Sequence, residues 1–251
     1  MDPYVNIAPF YDLEHSNFVD DIDFYLRHIH ADPILEVGVG TGRVMVPLLQ
    51  AGFEVWGVDT SAAMLAVARE RVANFDQAHL IHGAVDDLPP GASFGTILLP
   101  LNLLWHLRDL QQQRRFLATT RDLLAPGATL LVDLSNPLTL ADRGARGELR
   151  ERLSHLSPDA DVHGWSSCWD DEAEERLYLS LVFDEARDDG SLRRVSSKLE
   201  LRYLYKGEVE LLLWLTGFRV CSLYGSYDLQ PFSSHSPNIL VIAKVDDGLT
   251  R

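Results

Sequence analysis

Between residues 33 and 135, short apolar segments alternate along the chain with amphipathic ones. The apolar segments are rich in Val, Leu and Ile and show little alternation, which is typical of strands covered on both faces. This order predicts a parallel sheet with helices on both faces, and such sheets bind ligands at the carboxyl ends of their strands. The predicted strands are 33–39, 54–59, 79–84, 95–101 and 128–134, and the predicted helices are 43–51, 61–74 and 109–124.

The pattern changes after Asn136-Pro137. Segments 176–184 and 193–205 alternate apolar and polar residues, with turn-forming residues at 188–191 between them, which predicts an antiparallel hairpin. A helix at 207–216 and two more strands at 218–225 and 238–244 follow. We therefore predict a core of residues 1–139 and 206–251, with an antiparallel β insertion, 140–205, that covers the sheet as a lid.

Composition narrows the possible partners. The chain has 251 residues, which suits one large domain, and a formal net charge of −15. This charge repels phosphate backbones and anionic lipid, so we expect neither nucleic acid nor membrane as a partner. The two isolated cysteines predict a reducing cytoplasm, and no His/Asp cluster has the spacing of metal ligands, so no metal is expected.

The segment ILEVGVGTGRV at 34–44 has glycines at 38, 40 and 42. The dinucleotide-binding fingerprint requires a glycine where this chain has Arg43. The loop turns one residue sooner, which favours a ligand without phosphates. Asp59 ends the second strand, where doubly wound folds bind ribose hydroxyls. The acidic turn HGAVDD at 82–87 follows the third strand and would face a base.

Together these segments resemble the class I S-adenosylmethionine-dependent methyltransferases. The resemblance is carried by ILEVGVGTGRV, VWGVDTSAAMLAVARERV, HGAVDDL and LLAPGATLLVDL, and it covers roughly residues 33–135. It implies an α/β, Rossmann-like sheet of seven mostly parallel strands with an antiparallel last strand. It also implies S-adenosyl-L-methionine as the cofactor and S-adenosyl-L-homocysteine as the product.

The resemblance also implies which residues bind the cofactor. The glycines would lie under the methionine part and Glu36 near its amino group, while Asp59 would bind the ribose. Met64 and Val85 would lie on either side of the adenine. The full set assigned to the cofactor is Tyr11, Glu36, Gly38, Gly40, Gly42, Asp59, Thr60, Met64, Val85, Asp86 and Leu101.

Two positions depart from the family. Many members have aspartate where this chain has Ala84, and another aspartate before the fourth strand, where it has Gly95. Asp86 is predicted to replace the first of these aspartates, with the main chain as the alternative.

The acceptor side is predicted from LPLNLLWHL at 99–107. This segment lacks the Asn/Asp-Pro-Pro-aromatic pattern of many enzymes that methylate bases or amides. It resembles small-molecule methyltransferases, including sugar-amine N-methyltransferases. His106 is predicted as the catalytic base, and the alternative is a structural histidine bonded to a nearby carbonyl. The predicted substrate contacts are Asn102, Trp165, Arg202, Tyr203 and Tyr227.

These observations predict methyl transfer to a nitrogen or oxygen of a small molecule. Three alternatives remain: a non-catalytic S-adenosylmethionine-binding protein, a nicotinamide-dependent reductase and a protein-modifying methyltransferase. We expect a small-molecule acceptor as the partner of a monomer or homodimer. The sequence does not identify the acceptor.

Overall fold

The computed structural model describes residues 2–15, 18–139, 147–156, 160–187, 189–246 and 248. The helices are α1 (Ala8–His15), α2 (Asp20–His28), α3 (Met45–Gln50), α4 (Ala62–Val72), α5 (Leu110–Asp122) and α6 (Lys206–Leu215). The strands are β1 (Ile34–Val37), β2 (Val55–Asp59), β3 (Ala78–His82), β4 (Phe94–Leu99), β5 (Leu124–Ser135), β6 (Arg150–Leu156), β7 (Ala160–Asp171), β8 (Arg176–Arg187), β9 (Leu192–Arg202), β10 (Phe218–Tyr224) and β11 (Asn238–Val245).

Seven strands form the main sheet, in the order β3-β2-β1-β4-β5-β11-β10. Strands β1 to β5 are parallel, and β11 runs antiparallel between β5 and β10. The predicted sheet, with its antiparallel last strand, is confirmed. The strand order reverses between β1 and β4, and doubly wound folds bind ligands at this crevice.

Burial explains the unbroken apolar segments of the sequence. Every residue of β1 and β4 is buried, because helices cover both faces of the sheet at its centre. The boundary between α5 and β5 differs from the prediction: β5 begins at Leu124, before Pro126-Gly127. A register shift against β4 and a positive φ at Gly127 accommodate these two residues within an irregular start of the strand.

A second, antiparallel sheet has the order β6-β7-β8-β9. Strands β8 and β9 are the predicted hairpin, whereas β6, β7 and the N-terminal helices α1 and α2 were not predicted. One face of this sheet packs into the main core, where Phe183 stacks on Phe10 of α1 with ring centroids 5.1 Å apart. The predicted turn residue Asp188 and the start of the insertion at 140–146 lie outside the described residues, so the limits of the insertion stay a prediction.

Among the described residues, none of the helices has both the length and the apolar character needed to cross a membrane.

Candidate active site

The glycine turn after β1 has a backbone conformation that residues with a side chain rarely adopt. Gly38, Gly40 and Gly42 have φ angles of 72°, 56° and 79°, in the left-handed region that glycine adopts readily. A Cβ on Gly38 would lie 2.8 Å from Leu103 Cδ1. The turn therefore brings its backbone close to the loop that follows β4, at the crevice where the strand order reverses.

Asp59 connects this turn to the start of α4. Its Oδ2 accepts a hydrogen bond from the Gly40 N–H at 2.8 Å, and its Oδ1 accepts one from the Ser61 N–H at 2.8 Å. Burial raises the pKa of Asp59, and these two N–H groups partly offset that effect. A carboxylate has about four acceptor positions, so Asp59 can still accept hydrogen bonds from ribose hydroxyls.

Ser61 caps the N-terminus of α4, since its Oγ accepts a hydrogen bond from the Met64 N–H at 3.2 Å. We expect Ser61→Ala to lower the free energy of unfolding by about 1 kcal/mol, because the first turn of α4 loses its side-chain acceptor. Urea unfolding followed by circular dichroism measures this. Ser196→Ala, on an exposed part of β9, is the control, and an equal loss in both variants would contradict the capping role.

Glu36 on β1 is the buried group that most clearly requires a ligand. It is 2% exposed, and among the described residues its Oε2 has no hydrogen-bond partner. Burial raises the pKa of Glu36 well above its ordinary value; Arg43 opposes this shift, and Asp21 and Asp59 add to it. Buried carboxylates are normally paired or hydrogen-bonded. A ligand with an ammonium group and a sulfonium fits this environment, because it supplies positive charge and N–H donors.

The predicted adenine residues lie in the first turn of α4 and in the 3-10 turn after β3. Met64 and Val85 are both buried, and Met64 Cε lies 3.7 Å from the position that a Cβ on Gly40 would take. Asp86 is exposed and accepts a hydrogen bond from Thr119 Oγ1 of α5 at 3.3 Å. Asp87, which was not predicted, accepts one from the Ala84 N–H at 2.8 Å and closes the turn. The main-chain alternative for this turn therefore stays open.

Helix α1 carries the predicted Tyr11, together with its neighbour Asp12, to the glycine turn. Asp12 accepts hydrogen bonds from Thr41 Oγ1 at 2.6 Å and from Arg71 at 3.0 Å. Tyr11 stacks on His15 with ring centroids 4.2 Å apart, and burial raises the pKa of Tyr11 to about 12. Thr60 is exposed, and its carbonyl oxygen lies 3.2 Å from His82 Nε2.

The loop after β4 contains two consecutive non-glycine residues with positive φ, Leu101 at 44° and Asn102 at 63°. The Asn102 side chain contacts β5: its Oδ1 accepts from the Ser135 N–H at 2.6 Å, and its Nδ2 donates to Ser135 Oγ at 3.1 Å. Asn102 therefore holds the loop in place, and its amide is already hydrogen-bonded. A 3-10 turn, Leu103–His106, follows it.

His106 lies at the end of that turn, and its side chain is exposed. The surrounding protein still disfavours the imidazolium and lowers the pKa of His106 to about 4, so the ring is neutral at pH 7. The Tyr4 hydroxyl lies 3.4 Å from Nε2, whereas the structural alternative required a neighbouring carbonyl. An accessible, neutral imidazole can accept a hydrogen bond from a bound amine.

The N-terminal segment, residues 2–4, contacts both sides of the crevice. Asp2 Oδ2 accepts a hydrogen bond from Ser61 Oγ at 2.7 Å, and the Pro3 carbonyl accepts one from Ser197 Oγ of β9 at 2.5 Å. Tyr4 extends to His106. Sequence analysis did not predict this segment, because it has no periodicity and no motif.

The remaining substrate candidates are not all together. Tyr203 is buried and packs on Trp105, beside His106, with ring centroids 6.1 Å apart. Tyr227 donates a hydrogen bond to Asp133 at 2.9 Å. Arg202 is 8% exposed and pairs with Glu175 and with Glu208.

Trp165 is placed apart from the other candidates. It lies opposite Val182 in the register of β7 and β8, whereas the core residue Phe183 lies opposite Gly164. Successive residues of a strand point to opposite faces of the sheet. Trp165 is therefore on the face that points away from the core, and it stacks on His163 with centroids 5.8 Å apart.

Within the described part of the chain, no group of three or more His, Cys, Asp or Glu side chains is arranged to hold a metal ion.

Comparison with known proteins gives matches to methyltransferases. Residues 34–127 match a family model described as a methyltransferase domain. A protein of Geobacillus sp. (strain WCH70), named as a methyltransferase, is 26% identical over 97% of this chain and 96% of its own length. The glycine/sarcosine N-methyltransferase of Aphanothece halophytica is 24% identical over 92% of this chain and 84% of its own.

Solved structures give the same result. The CcbJ methyltransferase from Streptomyces caelestis superposes with a TM-score of 0.76 at 25% identity, covering 94% of this chain and 90% of that one. CalS10, an amino pentose methyltransferase from Micromonospora echinaspora solved with bound S-adenosylmethionine, has a TM-score of 0.68 at 20% identity, covering 92% and 90%.

Proposed function

We propose that the chain is a class I S-adenosylmethionine-dependent methyltransferase that methylates the nitrogen of a small-molecule amine. The observation that carries this proposal is the accessible, neutral His106 at the end of the 3-10 turn whose Leu103 contacts the glycine turn. Two of the relatives described above act, by their names, on glycine or sarcosine and on an amino pentose. The net charge of −15 also favours a cationic amine over an anionic acceptor.

The cofactor residues act through charge and shape. When bound, S-adenosylmethionine would supply a methyl group on a positively charged sulfur. An amine that has lost its proton to water could attack the methyl carbon with its lone pair as the carbon–sulfur bond breaks, which leaves S-adenosylhomocysteine. Asp59 would accept hydrogen bonds from its ribose, and Glu36 would neutralise its amino group. Because Gly38 and Gly40 have no side chains, the ligand could approach the backbone at the end of β1. Tyr11, Thr60, Met64, Val85, Asp86 and Leu101 stay predicted contacts.

His106 would position the acceptor. A neutral imidazole can accept a hydrogen bond from the N–H of an amine and so orient its lone pair toward the methyl group. A group with a pKa of about 4 is a weak base. A neutral amine can attack without a base, whereas a hydroxyl acceptor requires one, which supports nitrogen as the proposed acceptor atom. Tyr4, at 3.4 Å from Nε2, would hold the ring.

The test has two parts. Calorimetry compares S-adenosylmethionine with NADH. Transfer of a radiolabelled methyl group is then measured to glycine, sarcosine, an amino sugar and a peptide N-terminus, each beside its hydroxyl analogue. We expect binding of the sulfonium alone and transfer to at least one amine. Transfer to hydroxyls only would contradict the choice of nitrogen, and cofactor binding without any transfer would favour the non-catalytic alternative. Transfer to the peptide alone would favour a protein-modifying enzyme.

The reductase alternative is set aside. Its fingerprint requires a glycine where Arg43 stands, and the Arg43 guanidinium is paired with the Asp21 carboxylate.

Replacing His106 with glutamine is expected to lower the turnover number by roughly tenfold, with little change in cofactor affinity. One neutral hydrogen bond contributes about 0.5–1.5 kcal/mol, and the cofactor contacts are elsewhere. Initial rates with the best amine, together with calorimetry, measure this. His155→Gln, exposed on β6, is the control. Full activity in His106→Gln would contradict its role.

A cytoplasmic location and a monomeric or homodimeric state remain predictions. Tyr203 packs on Trp105, the residue before His106. The assignments of Asn102, Trp165, Arg202 and Tyr227 have less support, because these side chains are already hydrogen-bonded or point elsewhere.

A further inference from the structure

A buried acid lies at the carboxyl end of β5, next to the candidate site. Asp133 is 1% exposed, and its Oδ2 accepts hydrogen bonds from the Tyr25 hydroxyl at 2.5 Å and from the Tyr227 hydroxyl at 2.9 Å. Tyr25 belongs to α2, and Tyr227 to the loop between β10 and β11. The backbone N–H of Leu101, in the loop after β4, also faces this carboxyl group and lowers its pKa. Helix α2 and the β10–β11 loop therefore both donate hydrogen bonds to one side chain.

The main chain that faces the Asp133 carboxylate is strained. Leu101 and Asn102 both have positive φ without being glycine, and such residues persist only where their surroundings hold them. The holding contacts come from β5. Besides the Ser135 bonds of the Asn102 amide, the Asn102 N–H donates to the Asp133 carbonyl at 2.9 Å. Asp133 thus contacts the strained pair through both its main chain and its carboxylate.

The strained pair sets the position of the residues that follow. The Trp105 N–H donates to the Asn102 carbonyl at 2.8 Å, which begins the 3-10 turn that ends at His106. Leu103, in the same turn, is the residue that packs against Gly38. A change in the conformation of Leu101–Asn102 would therefore move both the His106 ring and the side chain that contacts the glycine turn.

We propose that Asp133, supported by Tyr25 and Tyr227, is a positioning residue that fixes the Leu101–Asn102 turn and thereby places His106 for the acceptor. This inference rests on the proposed function, since it gives His106 its significance. Asp133 itself touches no reacting atom. Asp133, Tyr25 and Tyr227 would affect the site indirectly, through the main chain of the loop after β4.

The groups that face Asp133 influence the pH range in which its carboxyl group is ionised. These are Tyr25 and Asp21 from α2, Tyr227 from the β10–β11 loop, and Arg43, whose charge acts on both tyrosines from the glycine turn. Burial raises the pKa of Asp133 to about 6, although both tyrosine hydroxyls oppose that shift. Above this pH the carboxylate accepts both tyrosine hydrogen bonds and attracts the Leu101 N–H. Below it the protonated carboxyl group has lost part of its acceptor capacity, so the turn would loosen.

The test follows the His106 imidazole by NMR, which requires no known acceptor. Its ¹H–¹³C signal is assigned from the spectrum of His106→Gln and titrated in the wild type, Asp133→Asn and Tyr227→Phe. We expect the pKa of His106 to rise by about one unit in both variants, because a looser turn moves the ring away from the protein that disfavours the imidazolium. Removal of the Asp133 charge alone would lower that pKa, so the sign separates positioning from direct electrostatics. Tyr227→Phe keeps the charge.

Tyr224→Phe is the matched control, because Tyr224 packs in the same aromatic cluster beside Phe24 and no hydroxyl bond of it occurs among the described residues. We expect Tyr224→Phe to leave both the His106 titration and the affinity for S-adenosylmethionine unchanged. An unchanged His106 pKa in folded Tyr227→Phe and Asp133→Asn would overturn the proposal, as would an equal shift in Tyr224→Phe. If no amine is methylated, the proposed function fails, but the titration still decides the role of Asp133.

Discussion

Replacing Asp59 with alanine is expected to raise the dissociation constant of S-adenosylmethionine by roughly 10- to 150-fold. A hydrogen bond to a charged group contributes about 1.5–3 kcal/mol. The lost carboxylate would remove the acceptor for the ribose hydroxyls. It would also leave the Gly40 and Ser61 N–H groups without the oxygens that hold them at 2.8 Å. The glycine turn would then be less well defined before the ligand arrives.

Calorimetry with S-adenosylmethionine and S-adenosylhomocysteine measures the effect of Asp59→Ala. Both ligands carry the ribose, so both should lose affinity by a similar factor. Asp76→Ala, an exposed residue before β3, is the control for the loss of one negative charge from this acidic protein. Unchanged affinity for both ligands in a folded Asp59→Ala variant would remove Asp59 from the site.

Much of the predicted cofactor-binding site could be found from the sequence, because the patterns that indicate it lie within short segments of the chain. The apolar segments that form the central strands β1 and β4 are continuous, because both strands are buried along their whole length. The spacing of the glycines reflects one tight turn, and all three have the positive φ that this turn requires. Asp59 was located by its place at the end of β2. Each of these inferences needed only neighbouring residues.

The part of the site proposed for the methyl acceptor was harder to predict, because its contacts join residues that are distant in the chain. The Tyr4 and His106 side chains meet across 102 positions, and Tyr25 and Asp133 across 108. Neither pair has a spacing that a single sequence could reveal. The one available signal was Asp133 itself, a carboxylate within the apolar segment ATLLVDL.

The predicted substrate residues of the β insertion were also difficult to place from the sequence. The alternation of apolar and polar residues correctly predicts β8 and β9. It does not show which face of their sheet packs against the core. Trp165 was assigned to the substrate chamber for its size and aromatic character. The register with Val182 places it on the outward face instead. Arg202 was assigned for its charge, but its guanidinium already pairs with Glu175 and Glu208.

Arg43 combines a sequence signal with a tertiary contact. It occupies the position that distinguishes this loop from a dinucleotide-binding one. Its guanidinium pairs with the Asp21 carboxylate of α2, donates to the Phe18 carbonyl at 3.0 Å, and lies 5.3 Å from the centre of the Phe18 ring. Burial disfavours its charge, but Asp21 more than offsets this and raises the pKa of Arg43. The residue that departs from the fingerprint thus attaches α2 to the glycine turn.

Replacing Arg43 with methionine is expected to lower the free energy of unfolding by about 3–5 kcal/mol, because it leaves a buried carboxylate without its partner. The Asp21 side chain is 0% exposed and that of Arg43 only 10%, so water cannot replace the lost ion pair. Chemical denaturation at pH 7 measures the loss. Asp21→Asn combined with Arg43→Met should recover part of it, since no uncompensated charge remains. The control is Lys206→Met, which breaks an exposed pair with Glu210 and should cost at most about 0.5 kcal/mol. Equal losses in Arg43→Met and Lys206→Met would contradict the importance of the buried pair.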